Sequence, residues 1–326
     1  MSKRVKKIFK WIFGVIGLLL LGFIGFVLNE TKYEINADFS NIEERLNKYY
    51  DEKEMAGFAV SVFNADSVLY SGGIGFSDLE NQIPYTENTL QYLASISKTM
   101  IGVALMQCQE KGFFKLDDPI NNHLPFKVVN PNHPDKPITI RQLAMHTSSL
   151  DYNEKVVESL YVDESEKLTS LDSFMRSYFE QKSFGEVTFT KDEPGQNFNY
   201  SNIASGITAY IIELKSGMTF SDFTKQNIFN PLGMNDTGWF LNELDSSQLS
   251  RHYEPDEDSK ITEFEVKGVS LYPARDLITN VKDLTKYCQA VIARNPKLLT
   301  PESYETLLSP SLKSTVTNRT VDNTGI

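Results

Sequence analysis

An uncharged apolar run near the N-terminus divides this 326-residue chain into two unlike parts. Residues 11–28 carry no charge, and as a helix these eighteen residues would span about 27 Å, close to the hydrocarbon thickness of a bilayer. The cations that precede the run are Lys3, Arg4, Lys6, Lys7 and Lys10. By the positive-inside rule they stay in the cytoplasm, so the rest of the chain is expected outside the cytoplasmic membrane, in the periplasm or the extracellular space.

A cleaved signal peptide begins in the same way, but its apolar region is shorter and small residues follow it. Residues 26–30 are Phe, Val, Leu, Asn and Glu, which form a poor cleavage site. The sequence therefore favours an uncleaved single-pass anchor over residues 1–30, with a lipid bilayer as its partner. Residues 31–326 are expected to form one larger domain.

Composition excludes several classes of protein. With 40% hydrophobic and 23% charged residues the chain is globular, and its net charge of −11 argues against binding to nucleic acid. Cys108 and Cys288 are too few for a disulfide scaffold, although one disulfide between them stays open. His123, His133 and His252 lack metal-ligand spacing, so neither a metal nor another cofactor is expected.

The pattern of elements predicts an α+β fold. Residues 57–63 and 68–75 are typical of two antiparallel strands joined by a turn. Helices are predicted over 41–53, 95–111, 139–146, 201–216, 220–228 and 283–293. A hairpin followed by many helices indicates an antiparallel sheet with helices packed on it.

Ser95 and Lys98 stand at the start of the predicted 95–111 helix, where residues three apart share a face. A serine hydroxyl needs a base, and a lysine serves as one where burial or a neighbouring cation lowers its pKa. The helix start also offers a free N–H and a positive dipole end to an oxyanion. A capping serine with an exposed lysine is the alternative. The catalytic interpretation is favoured because this is the only Ser-x-x-Lys in the sequence and the helix is apolar nearly all round.

Tyr200 and Asn202 form the only Tyr-x-Asn in the chain. A tyrosine near a lysine ammonium loses its proton more easily and can act as a base. An asparagine amide can bind a substrate carbonyl. The alternative is a simple turn into the helix predicted from residue 201.

Together these motifs resemble the serine β-lactamase-related family, which contains class C β-lactamases, DD-carboxypeptidases and esterases. The resemblance runs from about residue 57 to 308 and rests on several ordered motifs, at 93–99, 116–119, 138–148, 194–195, 200–202, 231–234 and 283–284. It implies that Ser95 is the acylated nucleophile and that Lys98 and Tyr200 share proton transfer. It further implies that Asn202 contacts substrate, that the Ser95 N–H forms half of an oxyanion hole, and that an all-helical subdomain accompanies the sheet. His146 is expected to be structural rather than a triad member.

The chain departs from the family in its third motif, a Lys-Thr-Gly or His-x-Gly on a strand beside the site. Lys215-Ser216-Gly217 has similar letters but falls at a predicted helix end, and Asn323-Thr324-Gly325 lacks the cation. The C-terminal strands of the family are therefore expected to be missing from the chain. Ser149 replaces a usual glycine, and Arg275-Asp276-Leu277 replaces a Gly-Gly-Leu.

Two classes of function follow. The first is a membrane-anchored serine hydrolase that forms an acyl-enzyme with an amide, lactam or ester carbonyl, in D-amino-acid peptides, β-lactams or small esters. The second is a catalytically inactive, membrane-tethered binding protein on the same fold.

Overall fold

A computed structural model describes residues 41–52, 55–151, 161–162, 170–183, 185–256, 260–266 and 268–309. The predicted anchor at 11–28 and the Asn323-Thr324-Gly325 triplet lie outside these residues, so both stay predictions. No helix in the described ranges is both long and apolar enough to cross a membrane. Contacts between residues divide the chain into Met1–Arg45 and Leu46–Ile326, and every strand that the structure describes belongs to the second unit. The domain boundary after residue 30 stays a prediction.

The helices of the described residues are α1 (Ile42–Asp51), α2 (Lys98–Glu110), α3 (Ile140–Ala144), α4 (Leu171–Phe179), α5 (Asn202–Ser216), α6 (Phe220–Thr224), α7 (Asn230–Leu232), α8 (Val281–Ile292) and α9 (Pro301–Leu308). The strands are β1 (Gly57–Phe63), β2 (Val68–Asp78), β3 (Ile83–Pro84), β4 (Gln91–Tyr92), β5 (Tyr161–Val162), β6 (His252–Pro255), β7 (Ile261–Phe264), β8 (Gly268–Val269) and β9 (Ile278–Thr279).

The predicted hairpin is confirmed as β1 and β2, which pair antiparallel from Gly57 opposite Gly75 to Phe63 opposite Val68. The side chain of Asn64 makes the turn, since its Oδ1 accepts the N–H groups of residues 66 and 67 at 2.9 and 2.8 Å. β3 adds a third antiparallel strand, and α8 packs on β1. The described chain thus has the predicted α+β class, with a helix packed on an antiparallel sheet.

Two packed helices, α2 and α5, lie in the hydrophobic core. α5 buries every residue from Ile203 to Ile212. Its ends follow from local sequence signals, because the Ser201 hydroxyl accepts the Ala204 N–H at 3.2 Å and Gly217 ends the helix with a φ of +71°. Lys215-Ser216-Gly217 therefore lies at a helix end, as predicted.

A glycine on α5 allows a neighbouring segment to approach the helix closely. A Cβ at Gly206 would lie 2.1 Å from Leu271 Cδ1 and 2.8 Å from Met175 Cε, so a larger residue would push both away. Leu271 leads directly into a 3-10 turn, Tyr272–Ala274, that packs on α5. This packing fixes the position of the Ala274 backbone carbonyl, which lies at the candidate active site.

Several elements were not predicted, among them α4, α9 and the β6–β7 hairpin. The helix predicted over 220–228 is α6 followed by a π-helical turn, Lys225–Phe229. Cys108 and Cys288 are both free, which resolves the open question of a disulfide. Cys108 is buried in α2 and Cys288 is partly buried in α8.

Candidate active site

Ser95 lies in a 3-10 turn, Ala94–Ser97, that precedes α2. The prediction of one helix over 95–111 was therefore wrong at its start, since the α-helix begins only at Lys98. The turn is closed by hydrogen bonds between residues three apart, such as that from the Ile96 N–H to the Leu93 carbonyl at 3.1 Å, and Ala94 enters it with a φ of +46° in the left-handed region. The turn leaves the Ser95 side chain exposed.

The side chain of Lys98 reaches back to Ser95. Its Nζ donates to Ser95 Oγ at 3.1 Å and to the Ala274 carbonyl at 2.6 Å. Burial lowers the pKa of Lys98, and the contact with Tyr200 opposes that shift only in part. The arrangement favours loss of the lysine proton beside the serine hydroxyl.

Tyr200 approaches the same hydroxyl from a second segment. Its OH donates to Ser95 Oγ at 2.8 Å, and the Lys98 Nζ lies 5.0 Å from the centre of its ring. Asn202 is the first, half-buried residue of α5, and within the described chain its amide forms no hydrogen bond to Ser95, Lys98 or Tyr200. The structure brings together three of the four predicted site residues. Within the described residues, Asn202 has no side-chain hydrogen bond to these three.

A backbone segment from Ala274 to Leu277 completes the setting of the nucleophile. The Leu277 N–H donates to Ser97 Oγ at 3.1 Å, and the Leu93 N–H donates to the Leu277 carbonyl at 2.9 Å. Together with the Lys98–Ala274 bond, these contacts hold both sides of the Ser95 turn. Sequence reasoning noted Arg275-Asp276-Leu277 only as a departure from the family. It missed the role of the segment because backbone atoms make its contribution, and no residue type signals them.

The loop after α3 holds the segment that carries Tyr200. A capping box between Thr139 and Gln142 begins α3. Beyond it the His146 carbonyl accepts the Asn199 N–H at 2.7 Å, and the His146 Nδ1 accepts the Ser201 N–H at 3.2 Å. Burial, and to a smaller extent the Lys98 charge, lowers the pKa of His146 to about 4. The ring is neutral at neutral pH, and in the described residues it makes no hydrogen bond to Ser95.

Comparison with known proteins identifies the family. The beta-lactamase family profile matches residues 39–325. This chain belongs to the beta-lactamase family.

The similar proteins include hydrolases and penicillin-binding proteins. PbpX of Bacillus subtilis, provisionally named as a penicillin-binding protein, is 26% identical over 272 residues, which cover 83% of this chain and 63% of PbpX. The chain thus spans less than two thirds of that relative's length. The octameric penicillin-binding protein homologue from Pyrococcus abyssi superposes with a TM-score of 0.69 at 23% identity, covering 82% of this chain and 59% of that one.

EstCE1, described as a hydrolase with promiscuous acyltransferase activity, superposes with a TM-score of 0.68 at 20% identity, covering 80% of this chain and 74% of its own. These superpositions show that the α+β fold is the β-lactamase/transpeptidase-like fold.

Ser149 stands where the resemblance implies a glycine, and its backbone conformation is one that favours glycine. Its φ is +63°, in the left-handed region that a side chain disfavours. Its hydroxyl accepts a hydrogen bond at 2.9 Å from the amide of Asn130, which is fully buried. This chain therefore tolerates the backbone strain and gains a buried polar contact.

A cavity of about 280 Å³ lies elsewhere, between the beginning of β1 and the β6–β7 hairpin, and its lining includes Tyr85, Gln91 and His252. None of the three residues gathered at the Ser95 hydroxyl lines it. The candidate site is therefore placed at the Ser95 hydroxyl, where the side chains of a serine, a lysine and a tyrosine meet. Among the described residues no cluster of His, Cys, Asp or Glu has the size needed to hold a metal ion.

Proposed function

We propose that this protein is a membrane-anchored serine hydrolase of the beta-lactamase family that acts through an acyl-enzyme. Its substrates are amide, lactam or ester carbonyls, with D-amino-acid peptides, β-lactams and small esters as the classes to test. The proposed site consists of Ser95 as nucleophile, Lys98 and Tyr200 as proton carriers, and Asn202 as a substrate contact.

One observation carries the proposal: Ser95 Oγ is within hydrogen-bond distance of both Lys98 Nζ, at 3.1 Å, and Tyr200 OH, at 2.8 Å. A serine that only capped a helix would need neither partner. A nucleophilic serine needs a neighbouring group that takes its proton, and a second group that returns a proton to the leaving atom.

In the proposed reaction Ser95 Oγ attacks the carbonyl carbon, and Lys98 or Tyr200 takes the hydroxyl proton. By the resemblance of its motifs to the family, the Ser95 N–H forms half of the oxyanion hole that stabilises the tetrahedral intermediate. The C–N or C–O bond then breaks, and the leaving atom receives the proton. Water repeats the sequence on the Ser95 ester and releases the acid, which restores the hydroxyl.

The relatives support the reaction class. EstCE1 is described as a hydrolase with promiscuous acyltransferase activity, and PbpX is provisionally named for penicillin binding. The first description names acyl transfer, and the second names the binding of a β-lactam. The catalytic roles of the individual residues in this chain rest on the geometry above and on the resemblance of its motifs.

Covalent labelling tests the activity. Full-length, detergent-solubilised protein is incubated with a fluorophosphonate or a β-lactam, and its intact mass is measured. A fluorophosphonate forms an O–P bond at Ser95 and releases fluoride and a proton, so the mass rises by one adduct. Ser95→Ala is expected to remove the adduct, and Ser246→Ala, which changes an exposed serine, is expected to keep it. No adduct on folded protein with either probe would favour the inactive binding protein.

The membrane anchor is proposed from sequence alone, from the five cations that precede the uncharged residues 11–28. If it is correct, the protein sediments with membranes, stays there in alkaline carbonate and is released by detergent. Protease added to intact spheroplasts should digest the larger domain, because that domain lies outside the cytoplasm. Release by carbonate would contradict the anchor, and full protection from protease would contradict its orientation.

A further inference from the structure

His146 lies between two aromatic rings at the edge of the proposed site. Its ring centre is 4.5 Å from that of Tyr200, with the planes 33° apart, and 5.9 Å from that of Phe198, which meets it edge-on at 75°. The Tyr200 side chain is 39% exposed. The contact with His146 therefore supports a ring that would otherwise be open to solvent on much of its surface.

The backbone on both sides of Tyr200 is also bonded to His146. The Asn199 N–H donates to the His146 carbonyl at 2.7 Å, and the Ser201 N–H donates to the His146 Nδ1 at 3.2 Å. One residue thus receives the donors immediately before and immediately after the tyrosine. With Nδ1 acting as acceptor, the proton of the neutral ring is on Nε2.

His146 maintains this arrangement in a strained backbone conformation. Its φ is +54°, which is unusual for a residue other than glycine. Its own N–H donates to the Leu143 carbonyl at 3.1 Å, at the end of α3. The bonds to α3 and to the Tyr200 segment together keep the residue in that conformation.

Burial lowers the pKa of His146, and the nearby Lys98 charge lowers it further, so these surroundings favour a neutral ring. The ring lies close enough to Lys98 for the ammonium charge to act on it, and a charged imidazole would add a second cation beside the lysine. A neutral imidazole leaves the Ser95–Lys98–Tyr200 group with a single cation.

We propose that His146 is a positioning residue for the reaction, which holds Tyr200 so that its OH stays at hydrogen-bond distance from Ser95 Oγ. This inference rests on the proposed function. His146 carries no proton to or from substrate, and its whole effect on the rate passes through Tyr200.

A double-mutant cycle tests this dependence. The second-order rate constant for fluorophosphonate labelling of Ser95 is measured in the wild type, His146→Phe, Tyr200→Phe and the double variant. His146→Phe keeps an aromatic ring and removes the Nδ1 acceptor, so the rate should fall about 10- to 100-fold, as expected for a displaced catalytic group. In the Tyr200→Phe background the same change should reduce the rate less than threefold.

Two further variants control the test. His146→Asn keeps an acceptor near Nδ1 and tolerates a positive φ, so it should recover most of the lost rate. His252→Phe changes a histidine that also lies between two rings, those of Tyr92 and Phe264, and should leave labelling within twofold of the wild type. If His146→Phe fails to fold, which thermal unfolding shows, the cycle is run with His146→Leu and His146→Asn.

An equal loss in both backgrounds would overturn the proposal, because His146 would then act independently of Tyr200. Wild-type labelling rates in folded His146→Phe would overturn it as well. Absence of labelling in the wild type would instead refute the proposed function, so the two failures are distinguishable.

Discussion

The hydroxyl of Ser97 accepts a hydrogen bond from the Leu277 N–H at 3.1 Å, and Ser97 is fully buried. Ser97→Ala would leave that N–H without a partner away from water. We expect the free energy of unfolding to fall by about 1–3 kcal/mol. Urea unfolding of the solubilised full chain measures this, with the exposed Ser246→Ala expected within about 0.5 kcal/mol of the wild type. An unchanged midpoint for Ser97→Ala would contradict the structural role of this bond.

The lowered pKa of Lys98 predicts how the labelling rate of Ser95 depends on pH. Burial lowers its pKa, so the neutral amine that can accept the Ser95 proton forms below the ordinary lysine value of 10.5. The labelling rate should rise with pH and level off below that value. Lys98→Arg keeps the cation at every pH and should label about 10²–10⁴-fold more slowly with no such rise. The exposed Lys297→Arg is the control, and a flat wild-type profile from pH 5 to 10 would argue against a titrating lysine base.

Two substitutions of Ser149 separate the effect of backbone strain on stability from the effect of a hydrogen bond. Ser149→Ala keeps the left-handed φ of +63° and loses the bond from Asn130, so it should cost about 0.5–1.5 kcal/mol of unfolding free energy. Ser149→Gly loses the same bond but relieves strain of about 1 kcal/mol or more. The glycine variant should therefore be the more stable of the two in thermal unfolding, and the reverse order would show that strain is negligible here.

Glu213 couples stability to mildly acidic pH. Burial raises its pKa to about 6 from the ordinary 4.5, against the opposing effect of the Phe220 N–H, which donates to its carboxylate at 2.7 Å. Between these values the folded protein keeps a proton that the unfolded chain releases. The stabilisation is therefore complete below about pH 4.5 and is lost as pH rises through about 6.

Glu213→Gln isolates this effect from the other carboxylates. The unfolding free energy of the wild type minus that of the variant should fall between pH 4.5 and 6 and stay constant above about pH 7. Urea unfolding across this range measures the difference. The exposed Glu302→Gln is the control variant, and a constant difference for Glu213→Gln would refute the predicted proton uptake.

The parts of the fold that could be predicted from sequence depend on local signals. Ser201 and Gly217 are typical of a helix start and a helix end, and α5 lies between them. The β6–β7 hairpin was missed because its strands are short, and both Glu254 and Glu263 are exposed on them. Such strands lack the alternation of apolar and polar residues on which strand prediction depends.

Local sequence signals also decide which parts of the candidate site could be predicted. Ser95, Lys98 and Tyr200 could be proposed from their motifs, since each is a chemically distinctive side chain at a fixed spacing. The Ala274 carbonyl could not, because any residue supplies one. The left-handed backbone at Ala94 could not be foreseen either, because alanine usually favours a helix. The position of His146 against Tyr200 depends on tertiary packing of two loops, which a single sequence does not reveal.

The hydrogen bond from Tyr200 to Ser95 joins positions 105 residues apart in the chain. It forms only when the α2 and α5 regions have docked, whereas helices and hairpins can form locally before that. A chain whose elements had folded without docking would keep its circular dichroism spectrum, but its serine would be unreactive. If the proposed chemistry holds, the fraction of molecules that a fluorophosphonate labels measures the fraction that is correctly folded. Refolding could then be followed in time through the covalent labelling of Ser95.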